Sequence, residues 1–272
     1  MPNYKIVDAD RLDADLGTVA QAIRTKGGTS ESLAFPGGFV SAVENMETGG
    51  GGGGGGYTAD QIASREIAGA ISLTTEKVMP YTFYYYNEAT SLNAPNVTSI
   101  GTYAFYYASK MADVYLPKCE TIGEYALTEM LVTELSLPAC TEISAYALSP
   151  LRNLTRIVLP ECTTLGGRAL KSCKALEYVD LPKCKSISIS TMESCTALST
   201  LILRSATLCS CRSNPLAGTA IANGNGYIYV PSALLETYKS NQYWSARAAQ
   251  FRALEDYTVD GTITGALDES KI

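Results

Sequence analysis

The chain has 272 residues, no histidine, and a formal net charge of −6 from 21 Lys and Arg against 27 Asp and Glu. The basic residues do not cluster as phosphate binding requires, so we expect no binding to nucleic acid. Without histidine the chain lacks the commonest general base and the usual metal ligand, so we expect no catalysis, metal or other cofactor. Apolar runs are only a few residues long, and no segment is predicted to insert into a membrane.

Residues 1–48 are predicted to form a small helical adaptor. Leu12, Leu16, Val19 and Ile23 fall on one face of a helix, and acidic residues crowd its first turns, where they favour the helix dipole. A calcium loop is the alternative for this acidic run, but the glycine and the glutamate that such a loop requires are missing. The N-terminus also lacks the apolar core of a signal peptide.

A run of glycine, residues 49–56, follows the adaptor. Such a run is a flexible coil, so it predicts a tether between two bodies. Thr58 suits the N-cap of a helix through about residue 68, in which Ile62 and Ile67 cover the first coil of the next body. The predicted boundaries are 1–48, 49–56, 57–256 and 257–272.

The central body repeats every 21–22 residues. In each copy seven apolar positions recur at fixed offsets, and a Leu-x-Leu-Pro string alternates like a short strand. One copy cannot bury its own apolar side chains, but stacked copies share a core. The pattern therefore predicts an α+β solenoid of 21–22-residue coils with helical caps at both ends. The prolines that mark the copies are Pro95, Pro117, Pro138, Pro160 and Pro182.

Six of the eight cysteines fall at two repeat offsets. Cysteines at one offset in neighbouring coils are equivalent core positions, where a small thiol packs well, so we expect buried free thiols. Disulfides are the alternative because the cysteine count is even. In the native state, thiol reagents are expected to modify at most Cys209 and Cys211, which lie outside the regular copies.

The repeat loosens after Arg204, and residues 227–230 form the final predicted strand. Apolar and aromatic residues at helical spacing then predict a helical C-terminal cap up to residue 256. Residues 257–272 contain an Asp-Gly turn signal, which predicts a small hairpin or a loose tail.

Two surfaces are candidates for ligand binding. Tyrosines at equivalent offsets of the first two coils form a patch that suits carbohydrate or protein recognition, unless the N-terminal cap covers it. The outward face of the strands is the second candidate, because charged, aromatic and apolar side chains mix there. The tyrosine patch comprises Tyr84, Tyr85, Tyr106 and Tyr107. The strand face is predicted to present Asp113, Glu134, Val158, Asp180 and Ile202 together with three candidate ligand contacts, Tyr115, Arg156 and Tyr178.

Residues Leu116–Leu127 follow the pattern Leu-Pro-x-Cys-x-x-Ile-Gly-x-Tyr-Ala-Leu, which resembles the BspA-type leucine-rich repeats of bacterial surface proteins. The resemblance covers about residues 71–231, and it implies a right-handed solenoid for adhesion and recognition without catalytic residues. The strings Tyr4–Leu16, Ile23–Thr29 and Leu33–Phe39 resemble the leading segment of tail-associated proteins in phages and prophages of Gram-positive gut bacteria.

These features predict a non-enzymatic recognition or adhesion protein. The leading interpretation is a receptor-binding component of a phage or prophage tail, located in the virion. Residues 1–48 would then bind tail proteins, while the solenoid contacts a protein or glycan of the host cell surface. The alternative is a BspA-type adhesin on the bacterial cell surface. A homo-oligomer is compatible with either interpretation.

Overall fold

The computed structural model describes residues 57, 62, 67–259 and 262–263. The predicted adaptor, the glycine tether and most of the predicted N-terminal cap lie outside these residues. The chain divides into two compact units, Met1–Glu66 and Ile67–Ile272. Of the first unit only Tyr57 and Ile62 are described, and Ile62 is helical and buried.

From Ile67 onward the chain forms a β-solenoid of about eight turns, in which most coils add one strand to each of two parallel sheets. The long sheet contains, in spatial order, β1 (Gly69–Ser72), β3 (Ala89–Asn93), β5 (Asp113–Tyr115), β7 (Glu134–Ser136), β9 (Arg156–Val158), β11 (Tyr178–Leu181), β13 (Thr200–Leu203), β15 (Tyr227–Val230) and β16 (Phe251–Ala253). The short sheet contains β2 (Lys77–Val78), β4 (Ser99–Ile100), β6 (Thr121–Ile122), β8 (Glu142–Ile143), β10 (Thr164–Leu165), β12 (Ser186–Ile187) and β14 (Ser210–Cys211).

Neighbouring coils stack in register, which explains the fixed apolar offsets of the sequence. Ile157 of β9 pairs with Val179 of β11, and Val179 pairs with Leu201 of β13. All three side chains are buried. Equivalent positions therefore lie above one another at the strand spacing of about 4.8 Å, and each coil buries its apolar residues against the next.

The third side of each coil is a run of turns with left-handed backbone. Tyr125 and Glu129 have φ values of 54° and 59°, and Tyr146 and Ser172 repeat this conformation at 56° and 60°. Residues with a side chain disfavour the left-handed region of backbone dihedral angles, so contacts with the neighbouring coils must hold these turns in place. Coils approach so closely here that a Cβ atom on Gly166 would lie 2.5 Å from the Ser144 carbonyl carbon.

The predicted helical caps are not confirmed, because the described chain is mostly strand with little helix. At the C-terminal end α1 (Leu235–Ser240) is one short helix among 3-10 helices, and β16 then extends the long sheet. The 3-10 helices span Ser232–Leu234, Ser245–Gln250 and Leu254–Asp256. Beyond them, β17 (Thr258–Val259) pairs antiparallel with β18 (Thr262–Ile263).

The aromatic residues whose sequence spacing predicted a C-terminal helix pack together as a cluster. Tyr238, Trp244 and Phe251 contact one another with ring centroids 5.3–6.0 Å apart. The Trp244 indole donates to the Cys209 carbonyl at 2.8 Å, and the Cys209 amide donates to the Tyr238 hydroxyl at 2.8 Å. The three rings thus cover the last regular coil, and Tyr238 and Trp244 also satisfy the backbone groups of Cys209 next to its edge strand. This arrangement does not require a continuous helix.

All eight cysteines are free and buried. Cys209 and Cys211, the two thiols that the sequence left as candidates for modification, are buried as well, with exposed fractions of 0% and 4%. Tyr238 and Trp244 lie over this part of the chain. Burial raises the pKa of the Cys211 thiol to about 12, which keeps it protonated and unreactive at neutral pH.

Candidate binding surfaces

The outward face of the long sheet carries two columns of side chains, since alternate residues of each strand point away from the core. The first column is Ser91, Asp113, Glu134, Arg156, Tyr178, Thr200 and Tyr227. The second column is Asn93, Tyr115, Ser136, Val158, Asp180, Ile202 and Tyr229.

The two halves of this face differ in exposure. Asp113, Glu134 and Arg156 are exposed, and Tyr115 is 56% exposed, the largest value among the exposed large apolar side chains of the described chain. Val158 and Tyr178 are half-buried. The prediction that Asp180 and Ile202 point into solvent is wrong, because both are buried.

The chain itself covers much of the C-terminal half of the face. The ring of Tyr257 lies 4.7 Å from that of Tyr229 and 6.4 Å from that of Tyr178. These two tyrosines stand on β15 and β11, on either side of β13, so Tyr257 crosses the strand that carries Ile202. Arg252 lies over the ring of Tyr227 at 4.3 Å and covers it only in part, since Tyr227 is still 41% exposed.

Asp180 is buried together with a cation. The Arg204 guanidinium contacts both carboxylate oxygens of Asp180 at 2.9–3.1 Å, and the Tyr178 hydroxyl donates to the same carboxylate at 3.3 Å. Burial alone would lower the pKa of Arg204, but the hydrogen bonds and charge of Asp180 hold that pKa above its ordinary value. Burial and the Asp180 charge raise the pKa of Tyr178, so its hydroxyl stays protonated.

The N-terminal half of the face is an open groove, which we call the sheet groove. It consists of two adjoining shallow depressions that share Glu134 and Ser136. Tyr115 and Asp113 line one depression, and Arg156 lines the other. The guanidinium of Arg156 lies 4.0 Å above the ring of Tyr178 and marks the boundary with the closed half. Of the three strand-face candidates, only Tyr115 lies fully in the open part.

The four predicted tyrosines of the turn side belong to a larger stack, which we call the tyrosine ladder. Tyr84 stacks on Tyr106 at 5.3 Å between ring centroids, and Tyr85 stacks on Tyr107 at 5.0 Å. A parallel column adds four rings at 4.6–5.2 Å. This column is Tyr81, Tyr103, Tyr125 and Tyr146. Our site prediction missed it, although the 21–22-residue spacing of these tyrosines in the sequence indicates it.

The ladder presents few aromatic faces to solvent. All of its rings are half-buried, and neighbouring rings in a column are parallel within 9–15°. The faces therefore contact one another, and at one end Arg168 lies over Tyr146 at 5.5 Å. Burial raises the pKa of Tyr106 and of Tyr125 to about 12, so these hydroxyls remain protonated. Stacking of sugars on ring faces, which the isolated patch suggested, has little accessible area here.

Within the described ranges no three Cys, Asp or Glu side chains gather in a way that could hold a metal ion. None of the helices in the described part of the chain is long and apolar enough to cross a membrane.

Stacked parallel coils with leucine at fixed offsets define a leucine-rich-repeat solenoid. The family model described as "BspA type Leucine rich repeat region" matches residues 76–216 in six copies, and the chain belongs to this family. No curated protein sequence matches the chain significantly.

Three solved structures are similar to this chain. A leucine rich cell surface protein from Faecalibacterium prausnitzii A2-165 has a TM-score of 0.50 and 22% identity, over 58% of this chain and 43% of that chain. The leucine rich repeat protein TpLRR of T. pallidum has a TM-score of 0.49 and 22% identity, over 55% of this chain and 75% of that chain. A leucine-rich repeat protein from Bacteroides ovatus ATCC 8483 has a TM-score of 0.39 and 20% identity, over 59% of this chain and 48% of that chain.

Proposed function

We propose that this chain is a non-enzymatic recognition protein of the bacterial cell surface, and that it binds a protein or glycan partner through the sheet groove. The observation that carries the proposal is the uncovered half of the long sheet, where Tyr115 is 56% exposed on a rigid parallel scaffold. Exposed aromatic side chains in a concave surface are typical anchors of binding sites. The surface location is supported by membership of the BspA-type family and by the similar fold of a bacterial cell surface protein.

The phage-tail interpretation has weaker support. It depends on the first 45 residues, which lie outside the described residues, and the family match begins only at residue 76. An attachment role of residues 1–48 and a homo-oligomer stay predictions. Labelling with an antibody against the solenoid, on producing cells and on any released particles, separates the two locations.

Tyr115→Ala tests the binding surface. The purified full chain is applied to a panel of extracellular proteins, glycans and intact cells, next to Tyr115→Ala and Tyr243→Ala. Tyr243 is a matched control, since it is 48% exposed but lies in the C-terminal cap. We expect a partner that wild type and Tyr243→Ala bind alike and Tyr115→Ala binds at least about tenfold more weakly. Equal binding by both variants places the site elsewhere, and chemical turnover of a panel member contradicts the non-enzymatic role.

A further inference from the structure

The sheet groove contains two acidic residues on neighbouring strands. Tyr115 of β5 pairs with Ser136 of β7, and the same register continued two residues back brings the backbone of Asp113 next to that of Glu134, at one strand spacing or about 4.8 Å. Both side chains are exposed. Like charges directly opposite each other on neighbouring strands repel and destabilise a sheet.

No cation of the described chain forms an ion pair within 4.0 Å with either carboxylate. Arg156, which pairs with Glu134 on the other side, turns to the ring of Tyr178 and makes no ion pair within 4.0 Å. The lysines on either side of β5 in the sequence have other partners: Lys110 pairs with Glu88 at 3.7 Å, and Lys118 donates to Asn96 at 3.1 Å.

Some charged side chains of the solenoid are matched by an opposite charge on the next coil. Ion pairs between adjacent coils join acids and bases 22 or 23 residues apart, at 2.6–3.7 Å. These pairs are Lys110–Glu88, Arg152–Glu129, Lys171–Glu193 and Lys183–Glu161. Asp113 and Glu134 make no such ion pair. Other exposed acids, such as Glu120 and Glu142, also lack one, but Asp113 and Glu134 lie on neighbouring strands of the open groove, where one external cation can reach both.

We propose that the sheet groove binds an extended segment of a cationic polypeptide, with one Arg or Lys side chain seated between Asp113 and Glu134. This inference depends on the proposed function and specifies its partner. The groove crosses four strands, β3 to β9, or about 14 Å at 4.8 Å per strand, which accommodates about four residues of extended chain. A guanidinium presents several donors in a fork that reaches two carboxylates, and the adjacent peptide covers Tyr115. A neutral glycan would leave both charges without a counter-charge.

The test uses a fluorescein-labelled peptide, (Gly-Arg-Gly-Ser)₂, and a matched peptide in which neutral citrulline replaces arginine. Binding of each to the full chain is measured by fluorescence polarisation at low salt. Asp113→Asn/Glu134→Gln removes the facing pair. Glu120→Gln/Glu142→Gln is the control, because it removes two exposed acids from the short-sheet side and changes the net charge equally. Thermal melts verify that both variants are folded.

We expect wild type to prefer the arginine peptide by about tenfold or more, the control variant to keep that preference, and the groove variant to lose it. An equal loss in both variants means bulk attraction to an acidic protein and overturns the proposal, as does a wild type without preference. The outcome is separable from the proposed function. If Tyr115→Ala weakens binding to a panel partner while Asp113→Asn/Glu134→Gln does not, the groove is the binding surface and the cationic partner is wrong.

Discussion

Asp180 shows how a surface position becomes part of the core. The alternation of the strand places Asp180 on the outward face of the sheet, yet its side chain is only 3% exposed. The side chain of its partner, Arg204, is 12% exposed. Two charges that leave water together lose hydration, and only close pairing compensates this loss. The contacts of 2.9–3.1 Å between the Arg204 guanidinium and both carboxylate oxygens provide that pairing.

Arg204→Met should destabilise the protein strongly, because it keeps side-chain volume but leaves the Asp180 carboxylate buried without a cation. We expect a loss of about 3 kcal/mol in the free energy of unfolding, measured by urea denaturation. Lys183→Met is the control, since it breaks the exposed pair with Glu161 and should cost less than about 1 kcal/mol. If both substitutions cost the same small amount, Asp180 is more hydrated than its burial indicates.

The stacked rings of the tyrosine ladder connect neighbouring coils. Tyr106 stacks on Tyr84, and its ring edges meet Tyr85, Tyr103 and Tyr125 at 5.1–6.1 Å. Aromatic pairs of this geometry contribute about 0.5–1.5 kcal/mol each beyond the area they bury. The ladder therefore stabilises the first four coils, whose turn side carries several residues in the left-handed region.

Tyr106→Ser should consequently lower stability, not only ligand binding. We expect a loss of about 2 kcal/mol, while Tyr106→Phe, which keeps the stack, should lose less than about 0.5 kcal/mol. Tyr115→Ser controls for the loss of a tyrosine at an exposed site and should be near neutral. Chemical denaturation of the three variants measures these differences. A Tyr106→Ser variant as stable as wild type would show that the tyrosine ladder does not stabilise the fold.

Across the whole solenoid, buried thiols and phenols couple stability to alkaline pH. Burial raises the pKa of Cys119 and Cys162 from 9.0 to about 12, and that of Tyr106 and Tyr125 from 10.0 to about 12. Between about pH 9 and pH 12 the unfolded chain therefore loses protons that the folded chain retains. The unfolded state binds fewer protons in this range, so the free energy of unfolding decreases as pH rises.

Urea midpoints measured from pH 7 to pH 10.5 should be constant up to about pH 8.5 and then fall steadily. Replacing Tyr106 and Tyr125 together with phenylalanine removes two titrating hydroxyls and should reduce the slope above pH 10, relative to wild type. Stability that stays flat or increases between pH 9 and pH 10.5 would show that these groups ionise equally in both states.

The order of the coils follows from the sequence because each repeat position interacts mainly with the same position one coil away. The 21–22-residue spacing and the seven apolar offsets therefore predict both the stacking and the residues of the core, such as Ile157, Val179 and Leu201. The same reasoning predicts that Tyr84 lies over Tyr106 and Tyr85 over Tyr107.

Contacts between residues far apart in the chain do not follow from a local period. Tyr257 reaches back 79 residues to Tyr178 and, with the Asp180–Arg204 pair, closes half of the sheet face. Trp244 reaches 35 residues back to the Cys209 carbonyl and buries a thiol that its position outside the repeats suggested was accessible. The path of the C-terminal segment thus decides which part of the solenoid face stays open. The spacing of the repeats contains no information about that path.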